Sequence, residues 1–481
     1  MKFIILILLG INIQGISQVY YNKIIELDNS VVLKTLKIVN DDILIPFYYF
    51  HNDTISGGIL KIDELNNQFI EECNNTTVIG AGLLNIDNHI YKPALFKSTS
   101  DSSIVLQKLN PDLSEIWTKV YFGNGAITTV ARSAQNEGKI FLLSQDDFPN
   151  NHRETNIKKI DTDGNEDYSI NIGVNLDRTF GWGIDFDSNN NAIISVGTFL
   201  QEPSIGRYGQ LYKVNSEGIF SLLFTSEEAA PNGADPFHIA VLKNGLIVQS
   251  MELDRKFPID IETISEPSLI QFINESGQKV NEVVLDHYNF NESVTIYKIL
   301  DGLGDYFFIV GELDGLAQKE YGLILKMDYE GNIIWEKRIS KSFILLPGAW
   351  GYFLDVIEDE NGDLTILGSV NHESKRKPWL VKINSQGCFD TSDCDTFLVG
   401  NKNLKIQRNI LPYPNPTESF LSINESIKNV ILFDFLGHQT MQLDKIDTGN
   451  IIDLSKLSSG IYFGVAQDES GQIVRFKVVK Q

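Results

Sequence analysis

The chain has 481 residues, with 40 basic and 63 acidic side chains and a formal net charge of −23 at pH 7. Hydrophobic residues make up 42% of it and aromatic residues 10%, which is enough for a packed core and argues against extended disorder. The acidic excess argues against nucleic acid as a partner, because nucleic-acid recognition requires a basic surface.

The first seventeen residues have the pattern of a cleaved secretory signal peptide. Lys2 precedes an apolar run over residues 3–11, and the small residues Gly15 and Ser17 stand three and one positions before a cleavage site at Gln18. The run is well below the ~20 residues that a membrane-spanning helix needs, and we find no other stretch that qualifies. The sequence therefore predicts an exported protein with no transmembrane span.

A repeat fills the middle of the chain. Its marker is an apolar strand that ends in Asp or Asn and is followed by a turn that usually contains Gly. The marker residues lie 47 to 59 positions apart and are Asp63, Asn110, Asp161, Asn215, Asn274, Asp328 and Asn384. Each unit also contains apolar segments with the period-two alternation of strands. Seven units of four short strands predict a seven-bladed β-propeller, with six or eight blades as alternatives.

The last repeat ends at Cys388 without a fourth strand. Residues 19–25 have the pattern of a last strand, so we predict that this N-terminal strand completes the last blade and closes the ring. The blade pattern resembles the loosely conserved propeller repeats of secreted bacterial proteins, including quinoprotein-like blades. It lacks the Trp-Asp ending of one common class of propeller repeat and the Gly-Gly doublet of another. Such a fold does not determine a function.

A binding face is the favoured candidate site. Trp182 and Trp350 stand among glycines just before the first strand of two blades, where loops gather near the central channel. A tryptophan with small neighbours can stack on a sugar ring or an apolar side chain. The predicted ligand-binding residues are Trp182, Trp350, Arg178 and His238, with Arg132 and Asp235 near equivalent loops. The alternative is that both tryptophans pack between blades.

The sequence offers little for metal binding or catalysis. Asp161 and Asp163 resemble the start of a calcium loop, but Ile172 stands at the twelfth position, where a full loop has Glu. We predict a turn there and no cofactor, with calcium at Asp161 and Asp163 as the alternative. No metalloprotease spacing, nucleophile elbow or phosphate-binding loop is present. Triads assembled from distant residues stay open.

The three cysteines fall into a pair and a single residue. Cys388 and Cys394 are six positions apart, and in an exported protein this spacing predicts a small-loop disulfide. Cys73 is left over, and we predict a buried free thiol.

Residues 413–481 alternate between strand patterns and turn residues, which predicts a small antiparallel β-sandwich. Gly437 and Gly460 are expected at turns that need a positive φ. Four blocks stand out: a Pro-Asn-Pro opening, an Asp-x-x-Gly turn, a Leu-Ser-x-Gly-Ile-Tyr block and a Lys-rich end. Their marker residues are Pro414, Asn415, Pro416, Asp434, Gly437, Gly460, Tyr462, Lys477 and Lys480.

These blocks closely resemble the type A C-terminal sorting domain of type IX secretion, found in the Bacteroidota. The resemblance implies that the type IX secretion machinery is a partner. Such domains carry a folded cargo across the outer membrane, are usually cut off, and leave the cargo secreted or attached to the cell surface.

The predicted organisation is a signal peptide (1–17), a β-propeller (18–399), a linker (400–412) and a sorting domain (413–481). The leading interpretation is a non-catalytic binding or adhesion protein, secreted or at the outer cell surface, whose ligand is a glycan or a protein. The alternatives are a hydrolase-like propeller enzyme with its active site at the central channel, and a structural surface protein. An enzyme should bring ionisable groups of shifted pKa into contact in a central pocket.

Overall fold

The structure is a computed structural model, and all its regular elements within the described residues are β-strands. The described residues are 21–25, 31–33, 35–51, 54–62, 68–73, 77–78, 81–97, 102–123, 127–148, 152–172, 178–200, 206–226, 234–253, 268–285, 292–315, 319–339, 351–372, 375–389, 412–413, 417, 419–423, 426–434, 439–447, 451–468 and 473–481. The chain divides into two compact units, Met1–Asn401 and Lys402–Gln481. The predicted signal peptide lies outside the described residues. The all-β prediction is confirmed.

The described strands of the first unit form six sheets, one of which has eight strands. The eight-stranded sheet consists of two antiparallel blades joined by one parallel pairing, Arg153 with Arg178, so the unit has seven blades, called blades 1 to 7 below. The N-terminal strand is β1 (Tyr21–Ile24). Blade 1 contains β2 (Val32–Leu33), β3 (Lys37–Val39), β4 (Asp42–His51), β5 (Thr54–Ile62) and β6 (Gln68–Cys73). Blade 2 contains β7 (Thr77–Val78), β8 (Leu84–Ile86), β9 (His89–Lys97), β10 (Ser102–Leu109) and β11 (Glu115–Phe122). Blade 3 contains β12 (Ile127–Asn136), β13 (Lys139–Asp147), β14 (Arg153–Ile160) and β15 (Glu166–Ile172).

Blades 4, 5 and 6 each have four strands in chain order, as blade 3 does, and blade 7 has three strands of its own. Blade 4 contains β16 (Arg178–Phe186), β17 (Ala192–Leu200), β18 (Gly206–Val214) and β19 (Phe220–Thr225). Blade 5 contains β20 (Ala234–Val241), β21 (Ile247–Leu253), β22 (Ser268–Ile273) and β23 (Lys279–Leu285). Blade 6 contains β24 (Glu292–Asp301), β25 (Tyr306–Gly315), β26 (Lys319–Asp328) and β27 (Ile333–Ile339). Blade 7 contains β28 (Gly351–Glu358), β29 (Leu364–His372) and β30 (Lys375–Ile383).

The fourth strand of blade 7 comes from the other end of the unit. Strand β1 pairs antiparallel with β30, with Tyr21 opposite Lys382 and Ile24 opposite Trp379. The backbone amide of Ile25 continues the contact and donates to the carbonyl of Pro378 at 2.9 Å. The prediction that the N-terminal strand completes the last blade is confirmed. The outer edge of β30, which would otherwise expose unpaired backbone groups, is covered.

Apolar clusters lie between successive blades and close the ring. Among the described residues, seven clusters each join one neighbouring pair of blades. The cluster between blades 7 and 1 contains Leu367 and Leu380 on one side and Ile45 and Leu60 on the other. The first strands of neighbouring blades also contact each other, from β12 through β16, β20 and β24 to β28. These strands are therefore innermost, and the first unit is a seven-bladed β-propeller.

The repeated Asp or Asn residue shapes the turn between the third and fourth strands. Asp328 is typical: its Oδ1 accepts the amide of Asn332 at 2.7 Å, and Gly331 has a φ of 89°. Only glycine adopts such an angle without strain, which explains the Gly in this turn. Asp161 has the same role, since its carboxylate accepts the amides of Asp163 and Asn165 at 3.0 and 2.7 Å. The prediction of a turn at Asp161 is confirmed.

The second unit is built from two sheets that pack face to face. Its strands are β31 (Pro412–Tyr413), β32 (Phe420–Ile423), β33 (Ile427–Asp434), β34 (Gln439–Ile446), β35 (Ile451–Asp453), β36 (Gly460–Asp468) and β37 (Ile473–Lys480). One sheet has the order β31-β32-β35 and the other β34-β33-β36-β37. Both contribute to one core that includes Leu421, Ile452, Leu432 and Tyr462. The β-sandwich prediction is confirmed.

One detail of the sandwich differs from the prediction. Gly460 does not have a positive φ; it begins β36 and lies opposite Lys480 in β37. Tyr462 is buried, and its hydroxyl donates to the carbonyl of Ser458 at 2.8 Å. Asp434 ends β33 and Lys477 lies in β37. Pro414, Asn415, Pro416 and Gly437 lie outside the described residues.

Candidate functional site

The innermost strands of blades 3 to 7 all contain a β-bulge. The register shifts between Val130 and Arg132, Gly181 and Gly183, Pro236 and Ile239, Ile296 and Lys298, and Phe353 and Asp355. Bulges bend a strand and re-aim the side chains beside them. Gly183, His238, Lys298 and Asp355 each lie three residues before the last residue of their strand, at or beside the bulge, and Arg132 lies four residues before the end of β12. Neighbouring blades thus present these residues around the same axis.

We call Lys37, Arg132, His238, Lys298 and Asp355 the central ring. Arg132 Nη2 lies 3.5 Å from His238 Nε2, although the two residues belong to blades 3 and 5. Blade 4 lies between them and contributes Gly183, which has no side chain. A Cβ on Gly183 would come within 3.0 Å of Ile239 Cγ1, so blade 5 can approach only a glycine here. The glycine therefore permits the contact between Arg132 and His238.

Burial and neighbouring cations control the charge of the ring. Burial lowers the pKa of His238 well below its usual 6.5, and the positive charges of Arg132 and Lys298 lower it further. His238 is therefore neutral at pH 7. Burial also lowers the pKa of Lys37, an effect that Asp355 opposes and Lys298 reinforces. Ionisable groups from five blades thus influence one another's pKa values at the axis of the propeller.

The two carboxylates at the axis are held by backbone amides. Asp355 accepts the amide of Leu36 at 2.9 Å and the amide of Val356 at 3.0 Å. Asp185, on β16, accepts the amide of Val241 at 2.7 Å. Each carboxylate therefore ties its blade to the next, from blade 7 to blade 1 and from blade 4 to blade 5. Burial raises the pKa of Asp185, while the amide hydrogen bonds and Lys298 oppose this rise.

A second group of side chains lies at the start of β16, and we call it the arginine–aromatic ladder: Arg153, Arg178, Phe180 and Trp182. The rings of Phe180 and Trp182 are nearly parallel, at 16°, with centroids 6.3 Å apart. The guanidinium carbons of Arg153 and Arg178 lie 4.4 and 5.4 Å from the Phe180 centroid. Arg153 also pairs with Asp147 through an Nη2–Oδ2 contact of 2.9 Å. Cations at such distances from a ring face are attracted by its quadrupole.

The structure corrects the predicted location of several site residues. Trp182 lies within β16, at its bulge, and not before the strand. Arg132 and His238 lie within innermost strands. The glycines beside Trp182 serve packing, since a Cβ on Gly181 would come within 2.8 Å of Leu143 and Thr155. Asp235 lies in β20, and Trp350 lies outside the described residues.

Sequence reasoning missed most of the central ring. It named Arg132 and His238 but not Lys37, Lys298 or Asp355. One signal was available, because aligning the innermost strands by their turns places His238, Lys298 and Asp355 in one column. In the part of the chain that the structure describes, no three His, Cys, Asp or Glu side chains are grouped to hold a metal ion.

The predicted disulfide is not tested. Cys388 is buried and follows the turn after β30, where Asn384 Oδ1 accepts its amide at 3.0 Å. Cys394 lies outside the described residues, so the pairing stays a prediction. Cys73 ends β6.

A ring of seven blades followed by a separate β-sandwich defines a propeller protein with a C-terminal accessory domain. Residues 412–481 match the family described as the secretion system C-terminal sorting domain. The C-terminal unit is therefore a type IX sorting domain, and the protein is exported to the cell surface or the extracellular space. No helix in the described ranges is long and apolar enough to cross a membrane.

Solved structures with a similar architecture include three propeller-sized chains. The β-propeller domain of the trilobed protease from Pyrococcus furiosus is 12% identical, with a TM-score of 0.46, and the match covers 74% of this chain and 98% of that one. A protein of unknown function from Dyadobacter fermentans is 8% identical, with a TM-score of 0.40 and coverages of 76% and 97%. The Dos1 propeller is 10% identical, with a TM-score of 0.45 and coverages of 75% and 81%. No curated protein matches the chain.

Proposed function

We propose that this protein is a type IX cargo that binds an extracellular glycan or protein through one face of its propeller, without catalysing a reaction. The face is the one where the chain enters the innermost strands. The observation that carries the proposal is the near-parallel stack of Phe180 and Trp182, flanked by two arginines.

The chemistry of the ladder suits a flat or apolar ligand group. All four side chains are partly buried, so each keeps some surface accessible to solvent. Aromatic and arginine side chains provide most of the binding energy at protein interfaces, because they bury a large area at a small entropic cost. The ring faces suit a sugar ring, and the guanidinium groups can donate hydrogen bonds to its hydroxyls or to a peptide carbonyl.

The test is a glycan and peptide array probed with the mature protein. We expect Trp182→Ala to weaken binding to any ligand found by about tenfold or more, the usual loss for a central aromatic anchor. Arg178→Gln is a second variant that keeps the aromatic stack. Phe122→Ala is the matched control, because Phe122 is 75% exposed on the outermost strand of blade 2. Unchanged binding in both ladder variants would exclude this site.

A hydrolase-like enzyme with its active site at the central channel is the second candidate. It is favoured by the contact between Arg132 and His238, two ionisable groups of shifted pKa. Incubating the array ligand with the protein and following its mass separates the two candidates. Conversion of the ligand that is lost in His238→Gln would support the enzyme, and an intact ligand would support binding.

The proposal includes several finer features of export. These are removal of residues 1–17, a propeller over residues 18–399, a linker over residues 400–412, a disulfide between Cys388 and Cys394, and a bacterium of the Bacteroidota as the source. They are supported by the sequence patterns at both ends and by the sorting-domain match. Peptide mapping of the secreted protein with and without reductant tests the disulfide, and a Cys388–Cys394 peptide absent before reduction would contradict it.

A further inference from the structure

We propose that the central ring is a binding site for a carboxylate group of an extracellular ligand. This goes beyond the proposed function, which concerns the ladder on β16, and it can be tested separately. The ring contains three basic residues from three blades: Lys37 in β3 of blade 1, Arg132 in β12 of blade 3 and Lys298 in β24 of blade 6.

Within the described residues, none of these three cations has a carboxylate oxygen within the 4.0 Å of an ion pair. Arg132 donates to the carbonyl of Ala131 at 3.1 Å and contacts His238 Nε2 at 3.5 Å. All three side chains are partly buried, and an anionic partner would offset the free energy that removing part of their hydration costs. An anionic group from outside the chain would supply this partner.

The nearby carboxylates, Asp355 and Asp185, accept hydrogen bonds from backbone amides. Asp355 accepts the amides of Leu36 and Val356, and Asp185 accepts amides from its own blade and from blade 5. The charge of Asp355 acts on Lys37 and Arg132, but within the described residues its oxygens form hydrogen bonds with amides and no ion pair with these cations. Backbone amides therefore hold the two carboxylates in place, whereas the three basic side chains can interact with an anionic group of a ligand.

The central ring is locally basic. It contains three basic side chains and one acidic side chain, Asp355, in a chain whose net charge is −23. An anionic group therefore suits this site better than a neutral or cationic one. We assign a carboxylate, and phosphate is the competing outcome of the experiment.

The central ring is rich in hydrogen-bond donors. A guanidinium group can only donate, so the contact with Arg132 makes His238 Nε2 the acceptor of the neutral imidazole. The hydrogen is then on Nδ1, which remains a donor. The guanidinium also presents a planar fork that matches the two oxygens of a carboxylate. Arg132, His238 and the two lysines together offer the donors that a carboxylate requires.

The experiment measures thermal stabilisation of the mature protein by sodium acetate, glucuronate, glucose and phosphate at constant ionic strength and pH 7. We expect acetate and glucuronate to raise the melting temperature saturably, and glucose, which lacks the carboxylate of glucuronate, not to do so. Lys298→Met and Lys37→Met should each weaken the apparent affinity for glucuronate about tenfold, the usual loss for a charge-assisted hydrogen bond. Lys279→Met removes an exposed lysine from the outermost strand of blade 5 and should leave the affinity unchanged.

The outcomes separate this site from its alternatives. No stabilisation by either carboxylate beyond that of sodium chloride would overturn the proposal, as would equal affinity in both ring variants and the native protein. Stronger stabilisation by phosphate would overturn the assignment of a carboxylate. Trp182→Ala should keep the acetate effect, so failure of the ladder site and failure of the central ring give different results.

Discussion

The backbone amide of Leu36 donates a hydrogen bond of 2.9 Å to Oδ2 of Asp355, across 319 positions of the sequence. This bond joins blade 1 to blade 7 at the axis of the propeller. At the outer edge of blade 7, β1 pairs with β30. Two contacts thus close the ring: a side-chain hydrogen bond near the axis and a strand pairing at the outer edge.

We predict that Asp355→Ala lowers the free energy of unfolding by about 1–3 kcal/mol. The change removes two hydrogen bonds to a buried carboxylate and takes a negative charge away from Lys37 and Arg132. Urea denaturation of the mature protein measures the effect. Asp305→Ala, at an exposed position after β24, is the control and should change stability by less than about 0.5 kcal/mol. Equal midpoints for the two variants would contradict the closing role of Asp355.

We predict that Ile25→Ala lowers the free energy of unfolding by about 2–5 kcal/mol, because it leaves a cavity in a packed core. Ile25 is fully buried in the cluster that joins blades 7 and 1. Lys23→Ala, only two positions away and partly exposed, should have little effect. Thermal or urea unfolding tests the pair, and similar losses for both variants would show that the N-terminal segment does not seal the ring.

The pH dependence of stability should report on His238. Its pKa in the folded protein lies well below 6.5, so the unfolded chain binds more protons as the pH falls through 6.5. Stability therefore decreases from about pH 7.5 to about pH 5, and His238→Gln should make this decrease shallower. His89→Gln, at the β8–β9 turn, is the control. The measurement is urea denaturation across this pH range, and identical slopes for His238→Gln and the native protein would refute the prediction.

Deletion of residues 413–481 should stop delivery of the propeller across the outer membrane. The deleted segment is the sorting domain, which forms a compact unit with its own core, so the propeller should stay folded without it. Immunoblots of the medium, the cell surface and the periplasm follow the protein, and the melting temperature of the purified deletion variant is the folding control. Normal amounts of the variant at the surface or in the medium would contradict the role of this domain.

Features that depend on neighbours in the chain were predictable from the sequence. Asp328 and Gly331 form a turn within five residues, and this turn recurs because each blade needs the same reversal. The pairing of β1 with β30 was also predictable, because the last repeat lacked a strand and the N-terminus had its pattern. The sorting domain was recognised from blocks that are short and continuous in sequence. The count of seven blades followed from the same local repeat.

Only the tertiary structure determined the central ring. The five residues of the central ring have no common motif. Arg132, His238, Lys298 and Asp355 lie at or beside bulges in four separate innermost strands, and Lys37 lies on β3 of blade 1, which has no bulge. The glycines beside Trp182 likewise suggested an accessible tryptophan, whereas the approach of the neighbouring blades requires them. The alternation of apolar and polar residues in strands and the tight turns depend on residues that are close together in the sequence. The contacts of the ring depend on how whole blades pack, and that packing joins residues more than three hundred positions apart.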